Sequence, residues 1–151
     1  MADFNLNYGL EADGLQVGVV ADSRFTHTVT AVADAATPAG RPVGYEGAEL
    51  SAISSPMKGV SRHSAAMVQT DAGVVEYKAG AAIPLVSFGP VIVEVEAAVN
   101  AGDAAYAIIS GADKGKFSKT TGATTTTAAV GYFETTTTGA GTATLFVQRG
   151  V

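Results

Sequence analysis

Apolar and polar positions alternate along much of this chain, and helical spacing is nearly absent because Gly or Pro interrupts almost every stretch long enough to carry it. Leu15-Gln16-Val17-Gly18-Val19-Val20 predicts a short strand. Residues 25–32 set Thr26, Thr28 and Thr30 against Phe25, Val29 and Ala31, the pattern of a half-buried strand. A turn follows around Thr37-Pro38-Ala39-Gly40, and residues 42–45 predict a short edge strand. Residues 49–68 carry neither period and predict a long irregular loop with one short helix around 46–53.

The strand signal returns at Val74-Val75-Glu76-Tyr77 and continues through Pro84-Leu85-Val86-Ser87-Phe88. Residues 91–96 form the strongest pattern, with Val91, Val93 and Val95 on one face and Ile92, Glu94 and Glu96 on the other. Asn100-Ala101-Gly102-Asp103 predicts a turn from which 105–109 returns as the paired strand. Lys114-Gly115-Lys116-Phe117 predicts a tight turn into another short strand. The threonine runs 124–127 and 135–138 precede strands at 128–134 and 142–148, with Gly139 and Gly141 at the intervening turn. Threonine is β-branched and fits a half-exposed pleated surface, so the runs predict hairpin arms and their loops. The sum is about eight or nine short strands, an all-β fold: a β-sandwich or small, jelly-roll-like β-barrel. Its expected organisation is an N-terminal arm at 1–14 and a single β domain at 15–151.

With 151 residues and no Cys, the chain can bury a core without disulfides, and thiolate metal sites are excluded. The net charge of -5 argues against nucleic acid as a partner. Charge is uneven: seven acids lie between Asp3 and Glu49 against only Arg24 and Arg41, which suits either a solvated acidic face or a basic partner surface. The opening residues lack the basic and apolar regions of a secretory signal, and no apolar run is long enough to span a bilayer, so no membrane partner is expected.

Catalytic chemistry finds little to stand on. His63 is flanked by Ser61 and Ser64, too close in sequence for a triad, and no nucleophile elbow occurs. His27 reads as a partly buried, hydrogen-bonded strand residue. Glu94 and Glu96 read as a solvent-facing stripe rather than an acid–base pair. No spacing suits a metal, and the Gly111–Lys116 stretch lacks phosphate-loop spacing, so no catalytic residue, metal or cofactor is expected. Two small basic clusters remain, Lys114 with Lys116 and Lys119, and Lys58 with Arg62 and His63. Each is either a solvated loop or a contact to an acidic protein surface.

In order along the C-terminal half stand Val91-Ile92-Val93-Glu94-Val95, Asn100-Ala101-Gly102-Asp103, Ala105-Tyr106, Gly115-Lys116-Phe117, Val130-Gly131-Tyr132-Phe133-Glu134 and Ala143-Thr144-Leu145-Phe146-Val147. This series resembles the C-terminal β-module of tailed-bacteriophage capsid cement (decoration) proteins, and the polar and aromatic opening 3–9 is similar to theirs. The resemblance implies a structural virion protein without an active site. Such a protein is assembled in the host bacterial cytoplasm and sits on the capsid exterior. It binds the phage major capsid protein, stabilises the contacts of that protein, and self-associates as a dimer or trimer. Contact candidates are the alternating arm Asp3-Phe4-Asn5-Leu6-Asn7-Tyr8, which suits strand addition to a partner's sheet edge, together with Lys58 and Arg62. The competing expectation is a carbohydrate-binding or adhesion β module of a phage tail or cell surface. The absence of Trp speaks against it, as do aromatic residues that read as mostly strand-embedded.

Overall fold

A computed structural model of the chain describes residues 17–22, 24–50, 57–126 and 128–148. The arm expected at 1–14, with Asp3, Phe4, Asn5, Leu6, Asn7 and Tyr8, lies outside the described residues, as do residues 51–56 of the expected loop. The described residues form eleven strands and no helix. In chain order these are β1 (His27–Val32), β2 (Thr37–Pro38), β3 (Pro42–Gly44), β4 (Met57–Ser61), β5 (Val68–Gln69) and β6 (Val75–Tyr77). They continue with β7 (Ala82–Val95), β8 (Ala104–Ala107), β9 (Phe117–Ser118), β10 (Gly131–Phe133) and β11 (Gly141–Gln148).

Of the two expected architectures, the barrel is the one formed. β7 pairs with β11, β11 with β10, β10 with β8 and β8 with β9. β9 then returns to β7 through the parallel pair Val95↔Phe117, closing five strands on themselves. Closure removes the exposed edges that an open sheet would carry. Val91, Val93 and Val95 of β7, Phe117 of β9, Phe133 of β10 and Leu145 and Val147 of β11 fill the barrel, all at most 1% exposed.

β7 is the spine of the molecule. The sequence predicts two strands here, separated at Gly89-Pro90, because Gly and Pro usually mark strand ends. One strand of 14 residues forms instead, and it changes partners at that point. Before it, β7 pairs with β1 and β4; after it, with β11 and β9. Gly89 adopts φ +125, and a Cβ there would lie 2.9 Å from Thr26 Oγ1 and 3.1 Å from Phe25 O. The glycine therefore lets the segment before β1 press against the spine.

The first half of β7 sends Ile83 and Leu85 into a second, smaller core with Ala31, Ala33, Val43 and Tyr77. The three-stranded sheet β2-β6-β5 contributes Tyr77 to that core. Two expectations change here. Residues 57–61, read as loop, form β4 between β3 and β7, and 46–50, read as the start of a helix, form a turn with the bridge Val43↔Glu49. The third change concerns β8, expected beside β7. Phe117 of β9 takes that place and its carbonyl accepts from the Glu96 amide, so β8 lies one strand further round the barrel.

The threonine runs act as hydrogen-bond staples between loops. Thr126 Oγ1 accepts from the Ala107 amide at 3.2 Å and donates to Ala128 O at 3.0 Å, while Thr135, Thr136 and Thr137 accept from the amides of Thr144, Ala101 and Val99. These amides would otherwise compete unpaired for water near the barrel wall. Replacing the buried Thr126 by Val keeps the shape and removes both bonds. The expected loss is about 1–3 kcal/mol in a denaturant melt, whereas Val at the exposed Thr138 stays within about 0.5 kcal/mol of the parent.

Candidate functional site

The site is built on the outside of the barrel, where β10, β11 and β7 each turn an aromatic ring outward between buried neighbours. Gly131 and Phe133 flank Tyr132, and Leu145 and Val147 flank Phe146, so the period of two sends these rings to the solvent face. Register then aligns them, because Tyr132 pairs with Phe146 and Phe146 with Pro90, two residues beyond Phe88. Tyr132 stacks on Phe146 with centroids 5.3 Å apart, and Phe146 meets the edge of Phe88 at 5.0 Å. Phe25, from the segment leading into β1, extends the row at 6.4 Å from Phe88. Phe25 is 74% exposed, Phe88 38% and Tyr132 36%.

Arg24 crosses this row with its guanidinium carbon 5.4 Å from the Phe146 centroid. Both terminal nitrogens donate to Glu134, at 2.7 and 2.5 Å, and Nε and one terminal nitrogen donate to Asp22 at 3.0 and 2.7 Å. These bidentate bonds, first to Glu134 and then to Asp22, push the Arg24 pKa up further. The Asp22 carboxyl is held below the usual range by the Arg24 side-chain hydrogen bonds. The result is a row of four rings and one arginine held in place before any partner arrives. Aromatic and arginine anchors on rigid strands are what protein interfaces use most.

The sequence reading did not single out this row. Alternation placed Tyr132 and Phe146 on strands, but their neighbourhood depends on register across three strands, which only the fold supplies. Phe25 lies ahead of β1 rather than in it.

The other residues singled out by sequence are dispersed. Lys58 and Arg62 stand at opposite ends of β4, four residues or about 13 Å apart. Lys58 is turned inward on the molecule: Nζ donates to Thr30 O at 2.7 Å and lies 6.0 Å from the Tyr45 ring centroid. Arg62 is exposed, with its amide bonded to Pro84 O and its carbonyl accepting from the Tyr77 hydroxyl. His27 is exposed rather than partly buried, and its Nδ1 makes a 2.7 Å hydrogen bond with Ser87 Oγ. Lys116 pairs with Asp113 at 3.2 Å, and the Lys114 carbonyl accepts from Arg41, so the 111–117 hairpin is tied to the β3 side of the molecule.

Glu94 and Glu96 are half-buried, and a shallow hollow beside Glu94 is lined by Val95, Lys116, Ala140, Gly141 and Thr142. Among the described residues no group of three or more His, Asp or Glu side chains is placed to hold a metal ion.

Comparison with known proteins gives two findings. The model of the family described as "Structural cement protein (E217 gp24/Pam3 gp6)" matches residues 4–148. A chain of the solved capsid of Myoviridae phage XM1 is similar at a TM-score of 0.72 and 19% identity, covering 99% of this chain and 100% of that one. No curated protein matches.

Proposed function

The chain belongs to the phage structural cement protein family, and from that premise we propose that it binds the outer surface of a phage capsid and stabilises the contacts of the major capsid protein. The observation that carries this reading is the family match across residues 4–148, nearly the whole chain. Its role is structural and non-catalytic. It self-associates as a dimer or trimer, and several modest contacts per oligomer add by avidity when the lattice lets them engage together. The arm 1–14, through Asp3, Phe4, Asn5, Leu6, Asn7 and Tyr8, adds a strand to a capsid edge beside the 15–151 domain. Arg62 supplies a cationic contact, while Lys58 contributes mainly through the ring and carbonyl it already touches. The protein resides on the virion exterior after assembly in the host cytoplasm.

The test is to mix the purified chain with capsids of its phage that lack it. Co-sedimentation in the micromolar range or tighter is expected, together with a higher temperature of capsid disruption, because a ligand that binds only the assembled state stabilises that state. Capsids that neither retain the protein nor gain stability at saturating concentration would refute the reading. The exposed aromatic row gives the adhesion reading one observation in its favour, and glycan-array hits that vanish on Phe25→Ser would select it.

A further inference from the structure

We infer that the aromatic row Phe25–Phe88–Phe146–Tyr132, with Arg24 over its centre, is a docking face for a surface of the major capsid protein that joins an apolar ridge to one or two cationic side chains. This rests on the capsid-binding reading and deepens it by naming the face and the chemistry of its partner.

The face is apolar, contiguous and partly exposed, which a monomer rarely leaves uncovered. Three of its rings, Phe88, Phe146 and Tyr132, are fixed by strand register and its arginine by two carboxylates, so little of their side-chain freedom is lost on docking.

Charge decides between occupants. Among the described residues the rim carries two carboxylates, Asp22 and Glu134, against one guanidinium, Arg24, leaving one negative charge unmatched. (Arg149, the next cation along the chain, lies outside the described residues.) The chain's own N-terminal segment, residues 1–16, has Asp3, Glu11 and Asp13 and neither Lys nor Arg, so it would bring acid to an acidic rim. A second copy, with a net charge of -5, would bring like charge to the same face. A cationic partner surface meets the rim favourably and places its apolar ridge on the rings.

The test compares the full-length chain with Phe25→Ser, with the pair Phe25→Ser and Tyr132→Thr, and with Val75→Ser in the smaller sheet as control. Each is titrated against capsids of its phage that lack the protein, and the oligomeric state of the free protein is followed by sedimentation velocity. The expected result is an affinity at least tenfold weaker for Phe25→Ser and weaker still for the pair, a factor of ten being about 1.4 kcal/mol. Val75→Ser binds as the parent does, and the free proteins sediment identically. Parent binding also weakens when salt rises from about 0.05 to 0.5 M, because that shortens the reach of charge pairing at the rim.

Phe25 is largely exposed, so the single variant folds even if the pair does not. Undiminished capsid binding by Phe25→Ser overturns the inference and leaves the capsid-binding reading intact. Dissociation of the free oligomer on Phe25→Ser overturns it in favour of a self-association face. Failure of the parent to bind capsids removes both.

Discussion

Gly131→Ala is expected to lower the stability of the protein by about 3–5 kcal/mol, among the largest effects a single methyl group can have. Gly131 sits in β10 between two strands, paired with Val147 on one side and Ala105 on the other. A Cβ built there lies 2.0 Å from the Phe146 carbonyl oxygen and 3.0 Å from its carbon, both backbone atoms that no rotamer change can move. The β10–β11 ladder would have to part, and with it the barrel wall behind Phe133 and Leu145. A melting temperature lower by roughly 6–20 °C should follow, since 1 kcal/mol shifts a chain of this size by about 2–4 °C. Tyr132 and Phe146 ride on the same ladder, so capsid affinity should fall with it. Gly139→Ala is the matched control: nothing stands within 4 Å of its Cβ, and it should be close to neutral. A Gly131→Ala protein that melts within about 1 kcal/mol of the parent would show that β10 and β11 are not in this register.

The β class, the barrel alternative and most strands of the second half were legible because alternation and turn chemistry are local. Val91-Ile92-Val93 and Thr144-Leu145-Phe146 announce themselves, and Asp103 Oδ2 caps the Asn100 amide at 2.8 Å as the turn requires. What stayed hidden depends on distant partners. β4 reads as loop because its buried positions mix the apolar Met57 and Val60 with Gly59 and Ser61, which breaks the period of two. Gly59 is forced by the Val86 carbonyl, 2.7 Å from where a Cβ would sit. The fully buried Ser61 is kept polar because its hydroxyl accepts from the Arg41 amide and donates to Pro38 O. A strand in which only Met57 and Val60 face the apolar core, while Gly59 and Ser61 answer to neighbouring backbone, carries no hydrophobic period to detect. The threonine runs were legible as strand arms and loops, but not as donors and acceptors to Ala107, Val99 and Ala101, because those pairings join turns about 20 to 40 residues apart. The aromatic row was missed for the same reason. The rings read as strand-embedded, with Phe25 on the apolar side of its strand, and the patch exists only in the register that places Tyr132 beside Phe146 and Phe146 near Phe88.

The second large effect is expected in the smaller core. Tyr77 is fully buried among Ala31, Ala33, Val43, Ile83 and Leu85, and its removal in Tyr77→Ala should cost about 3–5 kcal/mol as a cavity opens under β7. Tyr77→Phe separates packing from hydrogen bonding. The hydroxyl donates to the Arg62 carbonyl and shares a 2.8 Å hydrogen bond with Ser64 Oγ, so deleting it leaves the ring in place and both partners short, for about 1–2 kcal/mol. The pH dependence carries a definite sign. Burial pushes the Tyr77 phenol above the ordinary tyrosine value, against smaller opposing contributions from Ser64 and Arg62. A raised folded-state pKa means that the folded protein holds this proton more tightly than the unfolded chain does. The stabilisation is therefore complete below the free tyrosine range, near pH 10, and drains away as pH rises above it. The stability difference between the parent and Tyr77→Phe should be constant from about pH 6 to 9 and shrink above about pH 10, measured by denaturant melts at each pH. Because this hydroxyl fastens β6 to the segment that carries Arg62, both variants should also weaken the capsid contact proposed for Arg62 and leave the one proposed for the aromatic row unchanged. A Tyr77→Phe protein as stable as the parent at neutral pH, with the same alkaline decline, would mean that the phenol is solvated and the small core is packed in some other way.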